Sequence, residues 1–392
     1  MPNELVASYF EALGKECSAL WRASGQTEMG LVDAAERAMR SVEIPSGVDA
    51  SSILEHVVRT PDLPPQGNAD RFGQPPVVMY RDDELFIQVL FWLEGTTAIH
   101  DHGFDGAFGV LQGSSLHVTY DFDTQEQIDK DRLALGELRP LDAEVLQPGA
   151  ARRIESGPGF IHALFHLEMP TVSIVIRNRK SRSAQFGYRF PGLAYDTWWS
   201  DPTYTKRLQS LSALDRIDQR RAVALATEMI TELPVSQAWL LLDSWMRTHA
   251  RDSSLELVGG LARRVPSLGP TLEQVVEHEL AQQNILRRRA LLREFHQRAF
   301  LALMANLTTT DFTLDLIGHL APGRPARETL FDWAEELSGP SLRSVTGLSL
   351  DAAQLVQLRA LPAEEGASGL LEAVRSQWQD PMRRVREVLA PL

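Results

Sequence analysis

Two histidines one residue apart, His100 and His102, constrain this chain more tightly than any other feature. They close the stretch that begins Phe91-Trp92-Leu93 and runs to Ile99-His100-Asp101-His102-Gly103, a β-branched and aromatic context ahead of a glycine turn. Strand side chains repeat every second residue, so both imidazoles leave the same face and are placed to chelate one ion. A facial set needs a third nitrogen. The best candidate is His162 in Gly157-Pro158-Gly159-Phe160-Ile161-His162, where a turn delivers a histidine to the start of another apolar strand. Three neutral imidazoles would leave coordination positions open to outside ligands. The competing reading is a set of satisfied core histidines with no ion.

The surroundings of these residues have the period of strands. Short apolar runs at 77–80, 85–93, 107–111, 115–122, 144–146, 151–154, 161–167 and 171–177, separated by turns such as Gln112-Gly113-Ser114 and Pro148-Gly149, predict an antiparallel barrel. Helical spacing predicts helices over 4–23, 28–40 and 51–58 ahead of it, the last with Ser51 or Ser52 as N-cap. A proline-rich connection joins them to the strands, and Tyr188 to Pro191 with the pair Trp198-Trp199 reads as a closing segment. From about Asp201 the period becomes 3.6, with helices expected near 203–212, 217–231, 235–248, 254–264, 270–305, 311–320, 326–338, 349–358 and 366–388. The expected domains are a helical segment and connection over 1–75, a metal-binding barrel over 76–195 and an all-α domain over 196–392.

The two histidine segments resemble the signature motifs of the cupin superfamily, small β barrels (double-stranded β-helix or jelly-roll) that hold a metal. Gly95, His100, His102 and Gly113 match the first motif; Gly159 and His162 match the second, with the proline displaced to Pro158 and His166 in place of an asparagine. The glutamate that supplies a fourth ligand in many cupins is absent, its place taken by Gly106 or Ala107. Within the superfamily, the segment around Trp92 to Gly103 is similar to the metal strand of the three-histidine thiol dioxygenases, cysteine dioxygenase among them. That likeness covers about 76–190 and implies Fe(II) on His100, His102 and His162, dioxygen as co-substrate, and Arg81 holding a substrate carboxylate. It departs at a late strand, where Ser173 is kept but Val175 and Arg177 stand in place of a histidine and a tyrosine.

Arg177 shares a face with Ser173, and if that face points inward its guanidinium must meet an anion, substrate or protein carboxylate. His166, four residues after His162, is expected beside the metal site as a substrate-binding or supporting group. His117 lies on a neighbouring strand whose facing the pattern leaves open. In the helical half, Asp315 and His319 read as a surface pair, and Arg287-Arg288-Arg289 with Arg293 and Arg298 reads as a solvated, salt-bridged face.

Composition bounds the function. With 44% hydrophobic and 23% charged residues the chain is of the globular type, and no apolar run approaches the ~20 residues that span a bilayer. A net charge of -13 disfavours nucleic acid, and the single cysteine, Cys17, excludes an intrachain disulfide and suits a cytoplasmic location. The function expected is therefore an iron-dependent, O2-using oxidoreductase acting on a small anionic metabolite, a thiol among the options. Two alternatives stand beside it: Zn, Mn or Ni in hydrolysis or isomerisation, and a metabolite-sensing or scaffolding protein. A homodimer or a protein partner through the helical domain is the expected association.

Overall fold

The computed structural model describes residues 2–67, 72–93, 96–130, 132–179, 184–199, 201–247, 249, 251–307 and 309–379. Three helices lead: α1 (Pro2–Ala23), α2 (Glu28–Ser41) and α3 (Ala50–Arg59). The cap of α3 is Asp49 rather than either serine: its carboxylate accepts from Ser52 N at 2.8 Å while Ser52 Oγ accepts from Asp49 N at 2.9 Å. This reciprocal pair satisfies two orphan donors at once.

The strands are β1 (Pro76–Arg81), β2 (Leu85–Trp92), β3 (His100–His102), β4 (Gly106–Gln112), β5 (Ser115–Asp129), β6 (Leu133–Leu146), β7 (Ala151–Ile154), β8 (Gly157–His166), β9 (Thr171–Asn178), β10 (Phe186–Arg189) and β11 (Leu193–Asp196). One sheet has the order β1-β2-β9-β4-β7, and β10-β11-β6-β5-β8-β3 forms a closed barrel. Alternation decides the layers of the first sheet. Leu85, Ile87, Val89 and Phe91 of β2 and Val172, Ile174 and Ile176 of β9 pack with Val6, Phe10, Leu13, Leu31 and Ile53 of the three helices. The intervening residues Leu90, Trp92 and Val175 turn the other way, into a cluster with Phe104, Phe108, Leu146, Ile154 and Leu164. A one-residue slip of either strand would exchange these faces, so the apolar pattern holds the register.

Helices α4 (Pro202–Ile217), α5 (Gln219–Glu232), α6 (Val235–Met246), α7 (Arg251–Arg264), α8 (Gly269–Arg289), α9 (Phe295–Asn306), α10 (Thr310–Leu320), α11 (Ala326–Ser338), α12 (Arg343–Thr346), α13 (Ala352–Ala360) and α14 (Ala363–Gln379) complete the described chain. A β barrel with N-terminal helices and a C-terminal helical region is thus the fold class the periodicities predict. No described helix is long and apolar enough to cross a membrane.

The chain forms two compact units. The first takes the described residues of Met1–Tyr120, Pro140–Gln185 and Glu294–Asn306; the second takes those of Asp121–Arg139, Phe186–Arg293 and Leu307–Leu392. They interleave along the chain, whereas the sequence reading divides it at 75 and 195. In the second unit Leu133, Leu135, Leu193 and Tyr195 join Trp239, Leu242, Trp245, Leu261, Leu272 and Val276 in one core. The strands here exceed the sequence reading. β5 runs past 122 through polar residues that pair by backbone without an apolar face, β6 begins at Leu133, well ahead of 144–146, and β10 and β11 form in and just ahead of the closing segment.

Two further expectations are corrected. The long helix at 270–305 is two helices, because α9 is buried at every position from Gln297 to Ala305 and belongs to the first unit. The arginine run is not one solvated face: Arg289 is 1% exposed and Arg298 4%. Asp315 and His319, by contrast, do form an exposed pair. The predicted segment 380–388 of the last helix and the motif glycine Gly95 lie outside the described residues.

Candidate metal centre

Register assembles the histidines. β3 pairs antiparallel with β8 so that His100 stands directly opposite His162 and His102 opposite Gly157. The approach to β3 is tied to the same strand: Thr97 N donates to Leu164 O at 3.0 Å, Leu164 N donates to Thr97 Oγ1 at 2.7 Å, and Thr96 Oγ1 also donates to Leu164 O. Gly157, with φ at +81°, supplies the turn that starts β8. His100, His102 and His162 each offer a ring nitrogen, and these atoms lie within 4.8 Å of one another. His102 Nε2 and His162 Nε2 are 3.0 Å apart. Nitrogens bound to a common ion at about 2.1 Å are separated by roughly 3.0–3.4 Å, so the cluster is close to the spacing an ion requires.

All three rings are buried, at 3–7% exposure. Burial, partly offset by the hydrogen bond to Ala98, lowers the His100 pKa to about 4. Burial likewise holds His102 and His162 well below the ordinary histidine value, with His100 and, for His102, Arg177 adding to it. They are therefore neutral near pH 7, which is the ligating form. The outer nitrogens differ. His100 Nδ1 donates to Ala98 O at 2.8 Å, which leaves its Nε2 lone pair free, whereas buried His102 Nδ1 has no hydrogen-bond partner among the described residues. The donor set fits a divalent ion of borderline softness with room for further ligands.

Aromatic rings wall the cluster. Phe72 stacks on His100 at 5.1 Å between centroids, Phe104 lies 4.8 Å from His102, and Phe160 and Phe108 lie 4.7 and 5.2 Å from His162. The missing carboxylate has a steric reason. A Cβ on Gly106 would meet Ile176 O at 1.9 Å, and Ala107 points into the core beneath α1–α3, so neither position can send a glutamate to the ion.

The other candidates fall in different places. The Arg177 guanidinium lies 3.7 Å over the Phe104 ring and close enough to His102 to lower its pKa, so the 173/175/177 face does point inward. His166 stacks on Trp92 at 4.4 Å and is 2.9 Å from Ser115 Oγ. Four strand residues separate it from His162, about 13 Å along β8, so the two imidazoles occupy different ends of one face. Arg81 is exposed at the end of β1, donating to Pro65 O at 3.3 Å. What the sequence reading left unassigned is the group behind His162. His117 Nε2 is 3.1 Å from His162 Nδ1, His117 Nδ1 is 3.0 Å from Glu144 Oε1, and Glu144 is bonded through both oxygens to Arg152. Burial would raise the Glu144 carboxyl, but the hydrogen bonds from His117 and Arg152 outweigh it and hold it at about 2. Alternation in β5 was the available signal for His117; nothing local marks Glu144.

No family model matches the chain, and no curated protein does. Solved structures are similar over part of it. Hydroquinone 1,2-dioxygenase from Sphingomonas sp. TTNP3 with 4-hydroxybenzoate bound is 18% identical at a TM-score of 0.23, over 30% of this chain and 71% of that one. Hydroquinone 1,2-dioxygenase PnpCD in complex with Cd2+ and 4-hydroxybenzonitrile is 15% identical at 0.20, over 26% and 62%. DMSP lyase DddQ from Ruegeria pomeroyi DSS-3 is 15% identical at 0.23, over 38% and 74%. The activities belong to those proteins. In this chain, the three buried histidines lie on neighbouring strands of the closed barrel.

Proposed function

We propose that His100, His102 and His162 hold a divalent metal, Fe(II) in the working protein, and that the chain is an oxidoreductase using O2 on a small anionic substrate, a thiolate included. The observation that carries this is the set of three buried, neutral imidazoles gathered within 4.8 Å. Bound there, ferrous iron would supply open coordination positions and redox chemistry that no side chain provides. The protein's own contributions are electrostatic and steric. With no carboxylate ligand the ion keeps its full charge, and Arg177 beside His102 adds a second positive charge, so an anion is the favoured partner. The rings of Phe72, Phe104, Phe108 and Phe160 exclude water and strengthen that preference.

Affinity order does not select iron, since nitrogen sites bind zinc and copper more tightly. Metal analysis of anaerobically prepared protein, together with oxygen uptake against a panel of thiols and small carboxylic acids, tests the reading. Stoichiometric iron with substrate-dependent uptake is the expected result, lost in His100→Ala and His162→Ala. Metal retained in both variants would overturn the site. Tight zinc, manganese or nickel without uptake would move the protein to hydrolysis or isomerisation, and ligand binding without turnover would make it a sensor.

A further inference from the structure

The outer nitrogen of His162 is held by a group of unusual length. A metal-ligating histidine commonly donates its second N–H directly to a carboxylate or a carbonyl. Here an entire imidazole stands between. His117 on β5 and His162 on β8 are diagonal neighbours on one sheet face, since Thr119 pairs with His162 and His117 with Leu164. Beyond His117 lies Glu144, fixed in turn by Arg152.

We propose that His117 and Glu144 are positioning residues that set the tautomer of His162 and so turn its Nε2 lone pair toward the ion; the consequence for metal binding rests on the metal reading above, whereas the tautomer itself does not. The direction follows from donor and acceptor rules. A carboxylate only accepts, so His117 Nδ1, 3.0 Å from Glu144 Oε1, is the donor. With the ring proton placed there, its Nε2 is an acceptor. His162 Nδ1, 3.1 Å away, must therefore be the donor, and a neutral imidazole with its proton on Nδ1 has a bare Nε2. That Nε2 is the atom lying 3.0 Å from His102 Nε2. Reversing the chain would place a hydrogen on His162 Nε2 and remove a ligand without moving a heavy atom.

Arg152 completes the logic. By occupying both oxygens of Glu144 it keeps the carboxylate plane turned to His117 and its charge in place, although neither residue is fully buried. The whole path, from His162 at 3% exposure through His117 at 2% to a Glu144 side chain at 31%, carries orientation from the protein surface to the ligand set.

The test uses the metal-free full chain labelled with 15N, in which long-range imidazole correlations report each tautomer, with His162 assigned by its loss in His162→Ala. The wild-type protein is expected to show His162 protonated on Nδ1. Glu144→Gln, whose amide can present either a donor or an acceptor, and His117→Leu should shift the population toward the Nε2-protonated form. In parallel, cobalt(II) titration followed by absorption should show affinity lower by on the order of 10- to 100-fold in both variants. Arg153→Ala, next to Arg152 but paired with Asp33 and Glu36, should bind as wild type does. A His162 already protonated on Nε2 in the wild type, or a tautomer unmoved by both substitutions, overturns the relay. Cobalt binding unchanged in His100→Ala and His162→Ala overturns the metal reading instead, and the tautomer spectra then decide the relay alone.

Discussion

A buried polar cluster in each unit can be compared, and the two are built on opposite plans. In the second unit Arg189 lies 3.1 Å from both Asp243 and Glu279, and Asp243 also accepts from Arg247 at 2.6 Å. Burial alone would lower the Arg189 pKa, but Glu279, Tyr195 and Asp243 hold it above the ordinary value. Opposite charges stand at ion-pair distance, although burial pushes the Glu279 carboxyl above its ordinary value. In the first unit the cluster is of neutral imidazoles, two of which face each other through Nε2, and among the described residues the group holds no carboxylate. Formal charge is therefore the poorer guide to function. A cluster of paired charges contributes to the fold, whereas neutral imidazoles gathered at one point are a group that could hold an ion.

The largest test of this contrast is Arg189→Met. It leaves Glu279 and one oxygen of Asp243 buried without their cation, and should cost about 3–5 kcal/mol in urea unfolding while metal stoichiometry stays unchanged. An unaffected unfolding curve would mean that the charge cluster carries no structural role. His278 gives a smaller effect. Burial, reinforced by Arg189 and Arg375, lowers its pKa to about 4 from an ordinary value of 6.5. The unfolded chain binds this proton below about 6.5 and the folded one does not until about 4, so its stabilisation is full above pH 6.5 and declines as pH falls toward 4. The slope is up to about 1.4 kcal/mol per pH unit. Unfolding of metal-free protein measured between pH 7 and 4.5 should therefore be less steeply pH-dependent in His278→Leu than in wild type. Parallel curves would contradict it. Arg247→Ala should matter least: its side chain is 56% exposed, so removal is expected to cost under about 1 kcal/mol by the same unfolding assay, and a loss near that of Arg189→Met would show the outer arm to be part of the core pair.

The elements of the histidine cluster were legible where they are local. His100 and His102 share a face by strand geometry, and the glycine turn ahead of His162 marks the start of a strand. That Ser173, Val175 and Arg177 share one face followed from the same alternation, while their inward direction did not; helical spacing gave the helices that lead and follow the strands. The pattern failed where its assumptions did. Polar stretches of β5 and β6 pair through backbone alone and show no apolar period. Between α8 and α9, Ala290-Leu291-Leu292-Arg293 contains neither glycine nor proline, so helical spacing runs on through the break.

By itself, then, the sequence determined which side chains share a strand face, His100 and His102 among them, and where helices replace strands. Those properties depend on backbone geometry over a few residues. Only the tertiary structure decided that His162 stands opposite His100, that His117 and Glu144 line up behind it, that Gly106 lies too close to Ile176 O to be a ligand-bearing position, and that Arg298 turns inward to donate to His166 O. Each of those facts joins segments far apart in the chain. Their pairing is settled by the packing of the unit as a whole, which no local period encodes.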